Sequence, residues 1–190
     1  MNETEKIGMA QNNTTDYQLA QQQILDGIVS GEFNIENRDG LGPMIPIRLF
    51  QVLRMVALGS NVEDILGQGA PSLVYHSGQS LGSTLGQIVA SNADKDLETY
   101  IGKIQQLCRQ LSVGLVVPDK VDLEGGLLEL RVDECVSCAG IHNVSAPICH
   151  FEAGMVGGIV KAYFKRNVKA TETKCNALGD KTCLIRVDLL

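Results

Sequence analysis

The stretch Glu172-Thr173-Lys174-Cys175-Asn176-Ala177-Leu178-Gly179-Asp180-Lys181-Thr182-Cys183 sets the architecture of the C-terminal half of this 190-residue chain. Val168 to Cys175 and Cys183 to Val187 read as strands, with turn chemistry at Gly179-Asp180 between them. The two cysteines therefore face each other where the hairpin opens into its loop. Further toward the N-terminus, Cys149 follows Pro147-Ile148, at or near the start of a helix running to about Lys165, where the helix dipole favours a thiolate. Cys135 and Cys138 form a C-x2-C pair. Five of the six cysteines thus fall between Glu134 and Val187, reachable from a tight turn, a helix start and a hairpin.

A soft thiolate set selects zinc or an iron-sulfur cluster over magnesium or calcium, so Cys135, Cys138, Cys149, Cys175 and Cys183 are the candidate metal ligands. Zinc is the expected ion, with an iron-sulfur cluster as the alternative at the same residues. His142 and His150 lie close enough in sequence to replace a cysteine. Buried core thiols are the plainer explanation of any one cysteine. Disulfides are disfavoured, because the polar N-terminus does not resemble a secretory leader and a reducing cytosol keeps thiols free. The sixth cysteine, Cys108, fits the apolar stripe of a helix and is assigned to the core.

The expected class is α+β: N-terminal helices packed on a small antiparallel sheet of two hairpins, with one helix between the hairpins. The first hairpin is Val113 to Pro118 and Leu127 to Val132, bending at Gly125-Gly126. Four helices precede it. Ile45 to Ala57 reads as a core helix with Ile47, Phe50 and Leu53 or Arg54 inward and Arg48 and Gln51 outward. Asn61 to Gly67 is short. A third starts at Pro71, and Asp96 to Ser112 is the fourth. In the third, Gly78, Gly82 and Gly86 recur at steps of four, a costly pattern that marks close approach of another backbone or a ligand on a smooth face. Residues 1–39 form a separate arm, mobile to about residue 15. It carries a short helix marked by Tyr17, Ala20, Ile24 and Ile28, capped by Thr14, Thr15 or Asp16 and stopped near Gly31. Asn34 to Pro43 reads as a loop into the main domain, residues 40–190.

Composition excludes several functions. The formal charge of −6 and aromatic content of 4%, with no Trp, lack both the basic footprint and the stacking platforms of nucleic-acid binders. No apolar run is long enough to cross a bilayer. A cytoplasmic location without membrane contact is expected. No glycine follows a strand in a phosphate-loop pattern. His76 belongs at the surface or along the helical pocket, and Asp180 is a turn residue.

Pro147-Ile148-Cys149, followed by Gly154 and Gly158 and then the Glu172 to Cys183 hairpin, resembles the 4-vinyl reductase domain family over about residues 40 to 190. That family shares its fold with the TRAPP vesicle-tethering subunits and a heme-type gas-sensor domain. The resemblance implies small-molecule binding more than catalysis. Members fused to transcriptional activators sense aromatic hydrocarbons beside a zinc held by cysteines matching Cys149, Cys175 and Cys183. A carboxylate on the preceding strand is their fourth ligand, and Glu129 is the best match to it here. The sensors lack a C-x2-C pair, so Cys138 or Cys135 is the expected fourth ligand in this chain. Vinyl reduction is not expected, since no nicotinamide or flavin motif is present and a closed four-thiolate zinc has no open position. The expected protein is a homodimeric domain that binds or senses a small apolar, aromatic or tetrapyrrole-like molecule. Iron-sulfur redox chemistry and a structural dimerisation scaffold are the alternatives.

Overall fold

In the computed structural model, residues 18–32, 38, 40–91 and 96–190 are described. The expected mobile segment over residues 1–15, the cap at Thr14 to Asp16, Tyr17, and Asn34 to Asn37 with Asp39 lie outside them. The chain divides into two compact units, Met1–Ile45 and Pro46–Leu190. The first contains a helix over residues 18–30 (α1). It stops where expected: Gly31 takes a positive φ of 69°, and Glu32 N–H donates back to Gly27 O at 3.0 Å.

The second unit begins with α2 (Ile47–Gln51), which widens into π-type turns over Val52–Ser60 before α3 (Asn61–Leu66). After a single tight turn, α4 (Ala70–Ser91) and α5 (Leu97–Gln110) follow. Asp96 caps α5, its Oδ2 accepting from Thr99 N at 2.9 Å. The strands are β1 (Leu115–Asp122), β2 (Leu127–Asp133), β3 (Val168–Lys174) and β4 (Cys183–Leu189), with α6 (His150–Phe164) between the hairpins. This is the α+β arrangement expected, and the two hairpins merge into one four-stranded antiparallel sheet of order β1-β2-β4-β3. β1 runs past Pro118, where the sequence pattern ends it. It is an edge strand, so a residue without an N–H is tolerated, and the register shifts between Pro118 and Lys120.

One sheet face is apolar. Leu128 pairs with Val187, Leu130 with Ile185 and Val132 with Cys183, all buried against Ala153, Val156 and Val160 of α6. α6 in turn meets α4 on its far side, which leaves it buried nearly all round, as its apolar sequence requires. The two helices run in the same direction with their backbones touching. A Cβ on Gly78 would stand 2.0 Å from Phe151 O, one on Gly82 2.0 Å from Met155 O, and one on Gly154 of α6 2.0 Å from Tyr75 O. The glycine ladder is therefore a helix-packing device rather than a surface open to a ligand.

The segment from Ile47 departs from expectation. It is not a core helix: Gln51 is buried, whereas Ile47, Val52, Leu53 and Val56 are exposed. The polar face turns inward because the cysteine loop beneath it offers unpaired carbonyls, as described below.

Gly82→Ala is expected to lower unfolding stability by about 2 kcal/mol or more, since a backbone must move. Gly102→Ala in α5, where a Cβ would meet nothing within 4 Å, should raise it by up to about 1 kcal/mol. Urea unfolding of the two variants checks the contrast; equal effects would contradict the close approach.

Candidate metal centre

All five expected cysteines converge, each at most 4% exposed. β2 ends at Asp133, and Glu134, at φ 53°, turns the chain into a compact loop. There Ala139 N–H donates to Cys135 O, and Ile141 N–H to Cys138 O, both at 3.0 Å. These turns bring the C-x2-C sulfurs to the same side. Cys149 sits at the N-cap of α6, and its O accepts from Ala153 N at 2.9 Å. Cys175 follows β3, where its N–H donates to Asp180 Oδ2 at 2.9 Å and its O accepts from Leu178 N at 3.0 Å. Asp180 is thus the turn residue expected. Cys183 opens β4, pinned by Thr182 Oγ1, which lies 2.7 Å from Asp133 Oδ1.

The Sγ–Sγ separations are 3.6 Å for Cys135 to Cys149, 3.4 Å for Cys138 to Cys183, and 3.9 Å from Cys149 to both Cys175 and Cys183. All are free thiols rather than disulfides. Two donor sets have every donor atom within 4.8 Å of the rest: Cys135, Cys138, Cys149 and Cys183, and Cys149, Glu172, Cys175 and Cys183. The cluster lies within metal-binding distance. Neither set contains a histidine; His142 and His76 are exposed, and His150 lines a separate groove with Arg54 and Ile148.

The carboxylate is Glu172 rather than Glu129. Side chains alternate along a strand, and Val132 shares the inner face with Cys183, so Glu129, three residues away, points to the wet face opposite Arg186. Glu172 pairs with Ile185 on the inner face. Its Oε2 accepts from Cys149 N at 3.1 Å, while its Oε1 is buried without a hydrogen-bond partner. The sequence signal for it was a single acid closing the inward series Val168, Ala170, Glu172.

Hydrogen bonds from the Cys138, Cys149 and Cys183 thiols hold Cys135 well below the usual thiol range. Cys149 is pushed up, first by its bonds to Cys135 and Cys138 and then by burial, and Cys183 is raised by the same two neighbours. Burial raises Cys175 as well. A cation would displace the protons that the raised thiols hold. Cys108 stands apart among Tyr100, Ile104 and Ile159, and burial lifts its thiol to about 11, as befits core.

A polar layer braces the loop. Gln51 Nε2 donates to Val136 O at 3.0 Å and Ala139 O at 3.1 Å, with Arg48 Nη1 orienting its amide oxygen at 2.9 Å. Arg54 pairs with Glu152 at 3.1 Å, and the Ser137 hydroxyl donates to the same carboxylate. Sequence reasoning missed Gln51, Ser137 and Glu152, and placed Arg54 only among apolar neighbours.

A second cavity, of about 60 Å³, lies between α5, the β1–β2 hairpin and α6, lined by Tyr100, Ile104, Leu130, Met155, Val156 and Ile159 among others. Its polar neighbours are committed: Tyr100 Oη donates to Ile159 O and Gln105 Nε2 to Val116 O, each at 2.9 Å.

The elements that carry the sulfurs are also those that match a known family. Residues 128–189 match the 4-vinyl reductase domain. The resemblance read from the cysteine hairpin is borne out.

The matched stretch covers the sheet from β2 onward, the cysteine loop, α6 and β3–β4. The chain is 29% identical over 150 residues to the uncharacterized protein MJ0150 of Methanocaldococcus jannaschii, covering 78% of this chain and 79% of that one. Its fold is similar to the crystal structure of a vinyl-4-reductase family protein from the same organism, with TM-score 0.62 and 18% identity over 89% of this chain and 94% of that chain. It is also similar to the phenol-responsive sensory domain of the transcription activator PoxR, with TM-score 0.60 and 18% identity over 87% and 90%. The fold is thus related to that of a small-molecule sensing domain. Among the described residues no helix is long and apolar enough to cross a membrane.

Burial raises Glu152 to about 7 from 4.5, with Arg54 opposing the shift. The folded protein therefore holds a proton that the unfolded chain releases between those values. Relative to Glu152→Gln, wild-type stability should fall by about 1.4 kcal/mol per pH unit as pH rises from 4.5 toward 7, then level off. Denaturant unfolding of both proteins across pH 4.5 to 8 measures this; parallel curves would contradict it.

Proposed function

We propose that this protein is a small-molecule-binding or sensing domain, selective for an apolar ligand, in which zinc held by the cysteines is a structural metal. The observation that carries the metal is the sulfur spacing. Zinc–sulfur bonds of about 2.3 Å in a tetrahedron require sulfur separations of about 3.8 Å, and three edges of the Cys135, Cys138, Cys149 and Cys183 set span 3.4–3.9 Å, with all four sulfurs within 4.8 Å of one another. A cubane iron-sulfur cluster puts each thiolate on a different iron and spreads the sulfurs wider than this. Glu172, which brings a carboxylate oxygen within 4.8 Å of three of the sulfurs and has its Oε1 buried without a hydrogen-bond partner, also suits a cation. Zinc there would tie the cysteine loop, the start of α6 and the β3–β4 turn together and contribute folding free energy. A closed thiolate site offers no position for substrate, which favours binding over catalysis.

The ligand class follows from the apolar cavity between α5, the β1–β2 hairpin and α6. Its walls are apolar and its polar neighbours already paired, so a hydrocarbon suits it better than a molecule needing a hydrogen bond. At about 60 Å³ it is smaller than the ~150 Å³ that holds benzene, so side chains must yield for an aromatic ring, and a tetrapyrrole is far too large. The phenol-responsive PoxR domain on the same fold supports small-molecule sensing; the preference for a ligand without phenol's hydroxyl rests on the cavity walls alone.

A homodimer is the proposed assembly, supported by the exposed Ile47, Val52, Leu53 and Val56. This ridge is also what a dimerisation scaffold would need. The free buried thiols suit the reducing cytoplasm.

Protein purified without oxygen should contain zinc and show no visible absorption band, elute at twice the chain mass of 20.5 kDa, and gain thermal stability with toluene more than with phenol. Iron with acid-labile sulfide would replace the zinc reading by the cluster reading. A dimer that responds to neither compound would favour the scaffold.

A further inference from the structure

The two donor sets overlap in an informative way. Cys149 and Cys183 belong to both; Cys135 and Cys138 complete one, and Cys175 and Glu172 the other. A single ion in the first set leaves Cys175 and the Glu172 oxygen uncovered. A single ion in the second leaves Cys135 and Cys138 uncovered. In either case two buried donors next to the metal have no cation.

We propose that the cluster is a two-ion site for divalent zinc, with the Cys149 and Cys183 sulfurs bridging. This rests on the zinc reading above and goes beyond it. Six donors, two of them shared, give each ion four ligands, the number a structural zinc takes. The shared edge, Cys149 Sγ to Cys183 Sγ, measures 3.9 Å; Cys135 lies 3.6 Å and Cys175 3.9 Å from Cys149, yet the six donors form two overlapping groups rather than one within 4.8 Å. Charge favours the same answer. Five thiolates and one carboxylate around one divalent ion leave a large buried negative charge, whereas two ions leave the same net charge as an ordinary four-thiolate zinc. The independent mark of the second ion is Glu172: one of its oxygens lies within 4.8 Å of the Cys149, Cys175 and Cys183 sulfurs, Oε2 accepts from the Cys149 N–H, and Oε1 is buried without a hydrogen-bond partner.

The test is zinc titration of the full chain under reducing, oxygen-free conditions, with bound metal measured by elemental analysis and the zinc environment by X-ray absorption. Two zinc ions per chain are expected, with a zinc–zinc vector of about 3 Å; bonds of about 2.3 Å give that distance once metal binding draws the bridging edge in from 3.9 Å to about 3.5 Å. Glu172→Gln and Cys175→Ser should each lower the count to one and remove that vector, with the helical circular-dichroism signal retained. One zinc per chain at saturation overturns the two-ion site and leaves the zinc reading standing. No zinc overturns both. Two ions without the vector overturn the bridging thiolates. If Cys175→Ser does not fold, the wild-type stoichiometry and vector still decide.

Discussion

The structure depends on the cost of burying sulfur donors. Five thiols and a carboxylate meet in a volume closed to water, and only a cation allows most of them to ionise there. They come from separate local devices: Cys135 and Cys138 from a double turn after β2, Cys149 from the N-cap of α6, Glu172 from β3, and Cys175 and Cys183 from the two sides of the β3–β4 turn. Elements far apart in the chain are thus joined at one point, and the order β1-β2-β4-β3 follows from it, because Val132 and Cys183 must lie side by side across the β2–β4 seam.

Around that point the rest is support. α6 is held on one face by the sheet and on the other by α4, at a distance only glycines allow, which fixes the direction in which Cys149 enters the cluster. On the solvent side the loop carbonyls are closed by Gln51, and Arg54 with Glu152 and Ser137 forms a buried polar pair beneath. Such a pair adds positional definition more than stability, since desolvating both charges offsets most of their attraction. Turning Gln51 and Arg54 inward leaves the aliphatic side of the same segment outward, so one residue pattern accounts both for a braced cysteine loop and for the exposed apolar residues Ile47, Val52, Leu53 and Val56.

Much of this is legible in the sequence because it rests on local chemistry. Gly179-Asp180, Pro147 before Cys149 and the alternation in β2 each specify a turn, a helix start or a face, and the five cysteines follow. What is not legible depends on tertiary demand. The segment from Ile47 has an apolar stripe that reads as core, but the unpaired carbonyls of residues 136–139 attract its polar side. Family resemblance directs the carboxylate to Glu129 on β2; parity along the strand excludes it, and Glu172 is revealed only once β3 is known to lie at the sheet edge with Ala170 inward. The glycine steps in α4 are plain in the sequence, but the matching glycines of α6 are needed to identify their purpose.

The central claim is that metal at the cysteines ties together the parts of the C-terminal half. Amide hydrogen exchange on the zinc-loaded protein and after complete removal of metal tests it most directly. The account predicts a marked loss of protection at Val136, whose N–H ties the loop to Val113 O, and at Ala139, Ile141, Ala153 and Leu178, whose N–H groups close the turns that carry the sulfurs, while the α4–α6 contact keeps more of its protection. Unchanged protection at those five amides without metal would contradict it.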